Sequence, residues 1–133
     1  MKHAILLTHG PIGDALIEAT RGIMGIENGL HALSVTNMSV SEISQRLLSL
    51  VDAPEERAEG VVIMASLKGG SCWNVAVAIA KDHPHVKVIS GVNLPMVLTF
   101  MTKRDNTSLE KLAEYLEEDS IRSIVKFEIS AKK

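Results

Sequence analysis

The amino-acid sequence predicts an α/β fold. The expected architecture is a three-layer sandwich: a central, mainly parallel sheet of order 2-1-3-4, helices on both faces, and a C-terminal edge strand. Three observations predict it. Short apolar runs alternate four times with longer amphipathic segments, which is how strand–helix–strand crossovers read in a sequence. The 133 residues fit a single domain, 1–133, because domains usually span ~100–200 residues. A hydrophobic content of 46% with a formal net charge of -2 supplies a core to bury and excludes intrinsic disorder.

Each element has its own signal. Ala4 to Thr8 is a continuous apolar run, as expected of a strand buried on both faces. Leu16, Ala19, Thr20, Ile23 and Met24 then recur at helical spacing, with Gly22 and Gly25 placed where a helix stops. Leu30 to Val35 is the second strand. Ser39 to Glu42 has capping-box spacing ahead of Ile43, Leu47, Leu50 and Val51 on one helical face. The acidic stretch Asp52 to Glu59 is a solvated connection, and Gly60 to Ala65 is the third strand. Past Gly69 and Gly70, the alanine- and valine-rich Trp73 to Lys81 is helical, and Val86 to Val92 is the fourth strand. Asn93 caps a helix with Pro95 in its first turn, where a missing N–H costs nothing. Thr107 to Glu110 repeats the capping box before Leu109, Leu112, Ala113 and Leu116. Val125, Phe127 and Ile129 alternate with Lys126 and Glu128, the pattern of a half-exposed edge or antiparallel strand.

Composition narrows the function. Acidic and basic residues nearly balance, 16 against 14, so no global field favours nucleic acid or an anionic membrane. The single cysteine, Cys72, excludes a disulfide framework and a zinc knuckle and suits a reducing compartment. The chain opens without a secretory signal, and no apolar run approaches the ~20 residues that span a bilayer, so a cytoplasmic location is expected.

In a sheet of this kind, ligands bind beyond the carboxyl ends of the strands where the strand order reverses. That rule selects the loops Thr8–Gly13, Thr36–Ser39, Ser66–Ser71 and Asn93–Pro95. The first holds His9 followed by Gly10. A neutral imidazole there is a nucleophile for phosphorus or carbonyl centres, or a proton shuttle; the alternative is a histidine that only bonds backbone at a strand end. The third holds Lys68, Gly69, Gly70 and Ser71. These glycines and serine can turn backbone N–H groups inward as an anion nest at a helix start, or use glycine merely to reach positive φ. With the first and third strands adjacent, a nucleophile and an oxyanion cradle would meet. Lys68 adds charge at the rim or is simply solvated, and Asn93 is foremost a helix cap whose amide could brace the site.

Other candidates are structural. Asp14 complements the dipole of the first helix. His83 and His85 flank Pro84 at the opposite end of the sheet, with no carboxylate or cysteine at ligand spacing, so an exposed turn is expected rather than a metal pair. His3 and His31 are surface or strand-edge residues. Cys72 fills the turn as a small apolar residue, and the lone Trp73 is a core or rim residue, since one aromatic does not make a nucleic-acid platform. No metal and no cofactor is called for.

The sequence Thr8-His9-Gly10, the run Lys68-Gly69-Gly70-Ser71 with Asn74, and Gly91-Val92-Asn93-Leu94-Pro95-Met96 stand in matching order and spacing. Together they resemble the enzyme IIA component of the mannose/fructose/sorbose family of the bacterial sugar phosphotransferase system, over nearly the whole chain. The resemblance implies a phosphoryl carrier. The histidine matching His9 accepts phosphate from the phosphocarrier HPr and passes it to a IIB partner, with the membrane involved only indirectly through the permease complex. It also implies a homodimer built by exchange or pairing of the C-terminal strand. One departure matters: the family usually has an aspartate at the end of the third strand to orient the histidine, and Ser66 stands there in this chain. Ser66 can hydrogen-bond the ring but brings no charge to fix its tautomer. Cys72 and Trp73 replace a proline and an aromatic or similar residue without evident consequence.

Three readings follow. In the first, His9 attacks, the N–H groups of Gly69, Gly70 and Ser71 hold the phosphoryl oxygens, Ser66 positions the ring, and Met96 and Trp73 belong to an apolar docking surface. In the second, Ser66 marks a regulatory relative with weak or no transfer. In the third, the chain is the phosphoryl-donor subunit of a dihydroxyacetone kinase.

Overall fold

Four apolar segments pair into one parallel sheet. A computed structural model describes residues 1–53 and 59–129, so most of the acidic Asp52–Glu59 connection lies outside the described residues. The strands are β1 (His3–His9), β2 (Leu30–Val35), β3 (Val61–Ala65) and β4 (Val86–Ser90). The described helices are α1 (Ile12–Met24), α2 (Val40–Val51), α3 (Gly70–Lys81), α4 (Leu94–Lys103) and α5 (Leu109–Arg122). The sheet order is β2-β1-β3-β4, all parallel, with Leu7 of β1 opposite Leu33 of β2 and Ala65 of β3.

Strand side chains alternate between faces, and that period of two builds two cores. Ile5 and Leu7 of β1 pack with Val61 and Ile63 of β3 under α2 and α3, where Ile43, Leu47, Val51, Val75, Ala76 and Ile79 close the layer. Ala4 and Leu6 join Val62 and Met64 on the other face, under Ile17 of α1, Val97 and Phe100 of α4, and Leu112 and Leu116 of α5. The residues from Ala4 to Leu7 and all of β3 are 0% exposed, which is why both read as unbroken apolar runs. Each fully buried side chain of this size contributes about 1.5–3 kcal/mol.

Helix ends follow their local chemistry. Ser39 and Glu42 close a reciprocal capping box on α2, and Gly25 ends α1 in the left-handed conformation. The cap of α5 is one residue later than expected. Ser108 accepts from the Lys111 N–H, while the Thr107 hydroxyl donates to the Lys103 carbonyl and closes the preceding helix instead. The helix after the glycine pair begins at Gly70 rather than Trp73, and β4 ends at Ser90 rather than Val92.

The expected C-terminal edge strand does not form among the described residues. Residues 124–129 have no regular secondary structure, and Val125, Phe127 and Ile129 are 80%, 84% and 83% exposed. Alternation gives a segment the side chains of a strand. A ladder also needs a neighbour for its N–H and C=O groups, and none of the four strands pairs with this segment.

Cys72 sits in the α2–α3 core at 3% exposed, and burial pushes its thiol up from the ordinary range. A neutral-pH disulfide reagent should therefore label native Cys72 at least about tenfold more slowly than the denatured chain. Equal rates would show that the start of α3 is open.

Candidate functional site

The chain passes from β1 outward to β2, then returns to β3 and continues to β4 on the other side, so the winding reverses between β1 and β3. His9 is the last residue of β1 and is exposed. Ile5 and Leu7 face α2 and α3, and alternation puts His9 on that same face, on the side where α3 begins. The ladder continues past the strand ends: the Ser66 N–H donates to the Leu7 carbonyl at 3.0 Å, and the Gly10 N–H to the Val35 carbonyl at 3.3 Å. These bonds fix the backbones on either side of the crevice. Across it, His9 Nδ1 lies 2.9 Å from Ser66 Oγ. A hydroxyl both donates and accepts, so Ser66 satisfies Nδ1 in either ring tautomer. With Nδ1 engaged, Nε2 is the ring nitrogen left for an incoming group.

Beside the pair, Gly69 and Gly70 adopt successive positive φ values of +88° and +81°, a path open to glycine at little cost. Gly69 is the N-cap of α3 and provides no side chain to it, whereas Ser39, Asn93 and Ser108 cap α2, α4 and α5. First-turn N–H groups have no partner inside a helix. Those of α3 are thus presented, with the positive end of its dipole, at the edge where His9 stands. Ser71 and Lys68 are exposed alongside. The arrangement suits a tetrahedral anion next to an imidazole.

Sequence reasoning missed what ties the histidine loop down. Thr8, 0% exposed, donates through Oγ1 to the Gly10 carbonyl at 3.2 Å and accepts from the Gly13 N–H at 3.0 Å. It thereby caps α1, whose own N-cap is Pro11 and makes no side-chain bond. Gly13 permits the approach: a Cβ there would lie 3.2 Å from Leu6 and 3.3 Å from the Thr8 hydroxyl. The sequence signal was a hydroxyl ahead of the histidine with a glycine five residues on. Asp14, nearby in α1, accepts from the Ser34 hydroxyl at 2.8 Å.

The remaining candidates fall into place or are corrected. Asn93 is the cap of α4, its Oδ1 accepting from Met96 N–H at 2.9 Å and its Nδ2 donating to the Gly91 carbonyl at 3.2 Å, so its amide is used within its own loop. Met96 is only 2% exposed and packs in the core, which removes it from any docking surface, while Trp73 is half-buried beside β4. His83 and His85 flank Pro84 at a turn, as expected, but their rings are half-buried rather than exposed. His83 Nδ1 reaches the Ile79 carbonyl at 2.7 Å and its Nε2 lies 3.3 Å from Asp52, and His85 Nε2 is 3.1 Å from the Val51 carbonyl. The half-buried rings tie the ends of α2 and α3 together through backbone that sequence spacing does not reveal. His3 and His31 stack across β1 and β2, with Nδ1 and Nε2 2.8 Å apart. Among the described residues, no group of three or more His, Cys, Asp or Glu side chains is placed to hold a metal, and no helix is long and apolar enough to cross a membrane.

A profile of the EIIA-man family, described as the PTS system fructose IIA component, matches residues 3–117. The chain is 32% identical over 117 residues to the sorbose-specific EIIA component of the phosphotransferase system of Klebsiella pneumoniae, covering 88% of this chain and 85% of that protein. It is 29% identical over 125 residues to the fructose-specific EIIA component of Bacillus subtilis, covering 92% and 84% respectively. In fold it superposes on a mannose/sorbose-specific IIA subunit from Enterococcus faecalis with a TM-score of 0.84, 24% identity and full coverage of both chains.

The Thr8 bridge sets a test of the loop's architecture. Thr8→Val keeps the shape but strands the Gly13 N–H and the Gly10 carbonyl, and should cost about 1–3 kcal/mol in urea unfolding. Thr8→Ser should recover most of that loss, and equal stability of Thr8→Val and the parent would show that the bridge is idle.

Proposed function

Because the chain belongs to the mannose/fructose/sorbose-type IIA components of the bacterial sugar phosphotransferase system, we propose that it is a phosphoryl carrier working through His9. Phospho-HPr is the donor and a IIB component the acceptor, so phosphate moves toward sugar uptake. The observation that carries this reading is the His9 Nδ1–Ser66 Oγ contact of 2.9 Å at the β1/β3 switch point, next to the uncapped start of α3.

The chemistry follows from that geometry. With a proton on Nδ1 donated to Ser66, the Nε2 lone pair attacks phosphorus in line. The bond to Nε2 forms as the donor's P–N bond breaks, and the electron pair of that bond returns to the donor ring. Gly69, Gly70 and Ser71 supply N–H groups to the phosphoryl oxygens, Gly10 gives the turn that leaves the ring open, and Lys68 adds rim charge. Phosphoryl transfer asks mainly for alignment and charge stabilisation, and this edge supplies both. Neither metal nor cofactor takes part.

Partner proteins dock over an apolar rim that differs from the expected one. Ile12, Val40 and Leu67, 48%, 58% and 62% exposed, project from the loops and first turns at the same edge. An apolar patch with polar gaps is what a transient interface needs. The exposed Val125–Ile129 segment pairs with the sheet of a second copy, giving a homodimer in which that segment gains its ladder. The carrier works in the cytoplasm and meets the membrane only through the permease complex.

A second reading, regulatory and poor in transfer, rests on Ser66 alone, because a neutral partner holds the ring less firmly than a carboxylate. Incubation with phosphoenolpyruvate, enzyme I and HPr should add one phosphoryl mass to the chain and none to His9→Ala. An adduct surviving that substitution, or none on the parent, would sink the carrier reading. Ser66→Asp should accelerate charging modestly if the chain is a working carrier. A gain of several orders of magnitude would favour the regulatory reading. Leu67→Glu should slow charging by roughly tenfold with His9 intact, as expected for a charge placed in an apolar contact.

A further inference from the structure

We infer that Ser66 makes the phosphorylated chain a proton-gated donor: phospho-His9 passes its phosphoryl group on while Nδ1 holds a proton, and retains it once that proton has left. The inference rests on the carrier reading above.

The argument begins with what a hydroxyl can do. Ser66 Oγ, 2.9 Å from Nδ1, accepts a hydrogen bond when Nδ1 is protonated and rotates to donate one when it is bare. A carboxylate accepts only. Ser66 therefore satisfies both protonation states of the ring and adds no charge that prefers one.

Among the described residues, no carboxylate forms a hydrogen bond or ion pair with the His9 ring, and the neighbouring ones bond elsewhere. Lys68 is exposed on the same loop, and its charge opposes a ring cation. In α1, the Asp14 carboxylate accepts from the Ser34 hydroxyl. In α2, Glu42 accepts from the Ser39 N–H in its capping box. The first turns of α3 and α4 carry no acidic residue, and the positive end of α3 favours the phosphoryl dianion rather than a ring cation.

The consequence for transfer is a matter of leaving group. With phosphoryl on Nε2 and a proton on Nδ1, the ring is cationic. As the acceptor's nucleophile bonds to phosphorus, the Nε2–P pair returns to the ring, which departs as neutral imidazole. If the Nδ1 proton has gone to solvent, the same cleavage would expel an imidazolate anion, a far poorer leaving group, and the phosphoryl group stays. Discharge thus falls as pH rises through the loss of that proton.

The test separates this inference from the carrier reading by charging the full chain with potassium phosphoramidate, which phosphorylates histidine without a partner protein. His9→Ala identifies signals from the other histidines. Phosphorus and nitrogen NMR from about pH 6 to 9 follow the Nδ1 proton, and the lifetime of the phosphoryl group is read in parallel. Expected is loss of the Nδ1 proton within that range, with lifetime rising in step, and a midpoint about 1–3 pH units higher in Ser66→Asp. A midpoint unchanged in Ser66→Asp overturns the inference. So does a wild-type ring that keeps its Nδ1 proton throughout, a result that decides the matter even if the variant does not fold. Charging by phosphoramidate but not by HPr would refute the carrier reading and leave the proton gate to be judged on the NMR alone.

Discussion

The parallel pairing of β1 with β3 is the constraint on which the site depends. His9 and Ser66 are 57 residues apart in sequence, and only the register that sets Leu7 against Ala65 brings their side chains to 2.9 Å. That register is strongly held. A slip of β1 by one residue would turn Ile5 and Leu7 out of one core and drive Ala4 and Leu6 out of the other. The two apolar layers therefore act as the positioning device for a pair of polar residues at the edge of the sheet. The ladder bonds from Ser66 to Leu7 and from Gly10 to Val35 carry this rigidity one step beyond the strands, into the loops that hold the candidate site.

Much of this was legible in the sequence because burial on two faces leaves a strong trace. The unbroken run from Ala4 to Leu7 and the run of β3 could be read directly, and the carboxyl-edge rule then located His9, Ser66 and the glycine pair with no structure in hand. Caps set by local side-chain bonds, Ser39 and Asn93, were legible for the same reason. What failed was settled by competition or by context. Thr107 and Ser108 both carry a hydroxyl, and the one that capped α5 was decided by where α4 needed a carbonyl partner. Met96 has the side chain of a rim residue but falls on the buried face of α4. The main-chain bonds of Thr8, His83 and His85 are set by the fold, and of these only the Thr8–Gly13 spacing leaves a trace in the sequence. The segment 124–129 carries a strand's alternation, but none of the four strands of the described sheet pairs with it.

The helix termini show how the fold divides its polar groups between stability and function. An N-cap side chain is worth about 1 kcal/mol, and α2, α4 and α5 each use one. The first helix borrows Thr8 from the strand before it. At the third, glycine occupies the cap and a second glycine follows, two of the least favourable choices for chain entropy. A helix start left without a side-chain cap at the same edge as an exposed imidazole gives up stability that neighbouring helices retain. It keeps its donors available, and the two glycines, both at positive φ, put no Cβ atom at this edge.

A neutral partner for His9 is consistent with this division of labour. A carboxylate at position 66 would orient the ring by charge and hold its proton by the same charge, so alignment and proton affinity would be set together. With a hydroxyl, alignment must come from geometry alone: the β1–β3 register, the Leu7–Ser66 ladder bond and the Thr8 bridge that pins the loop after the histidine. All three are in place, so the ring is aimed by backbone geometry and a neutral hydroxyl. A carboxylate would couple alignment to charge; with Ser66 beside Nδ1, the fold supplies the alignment alone.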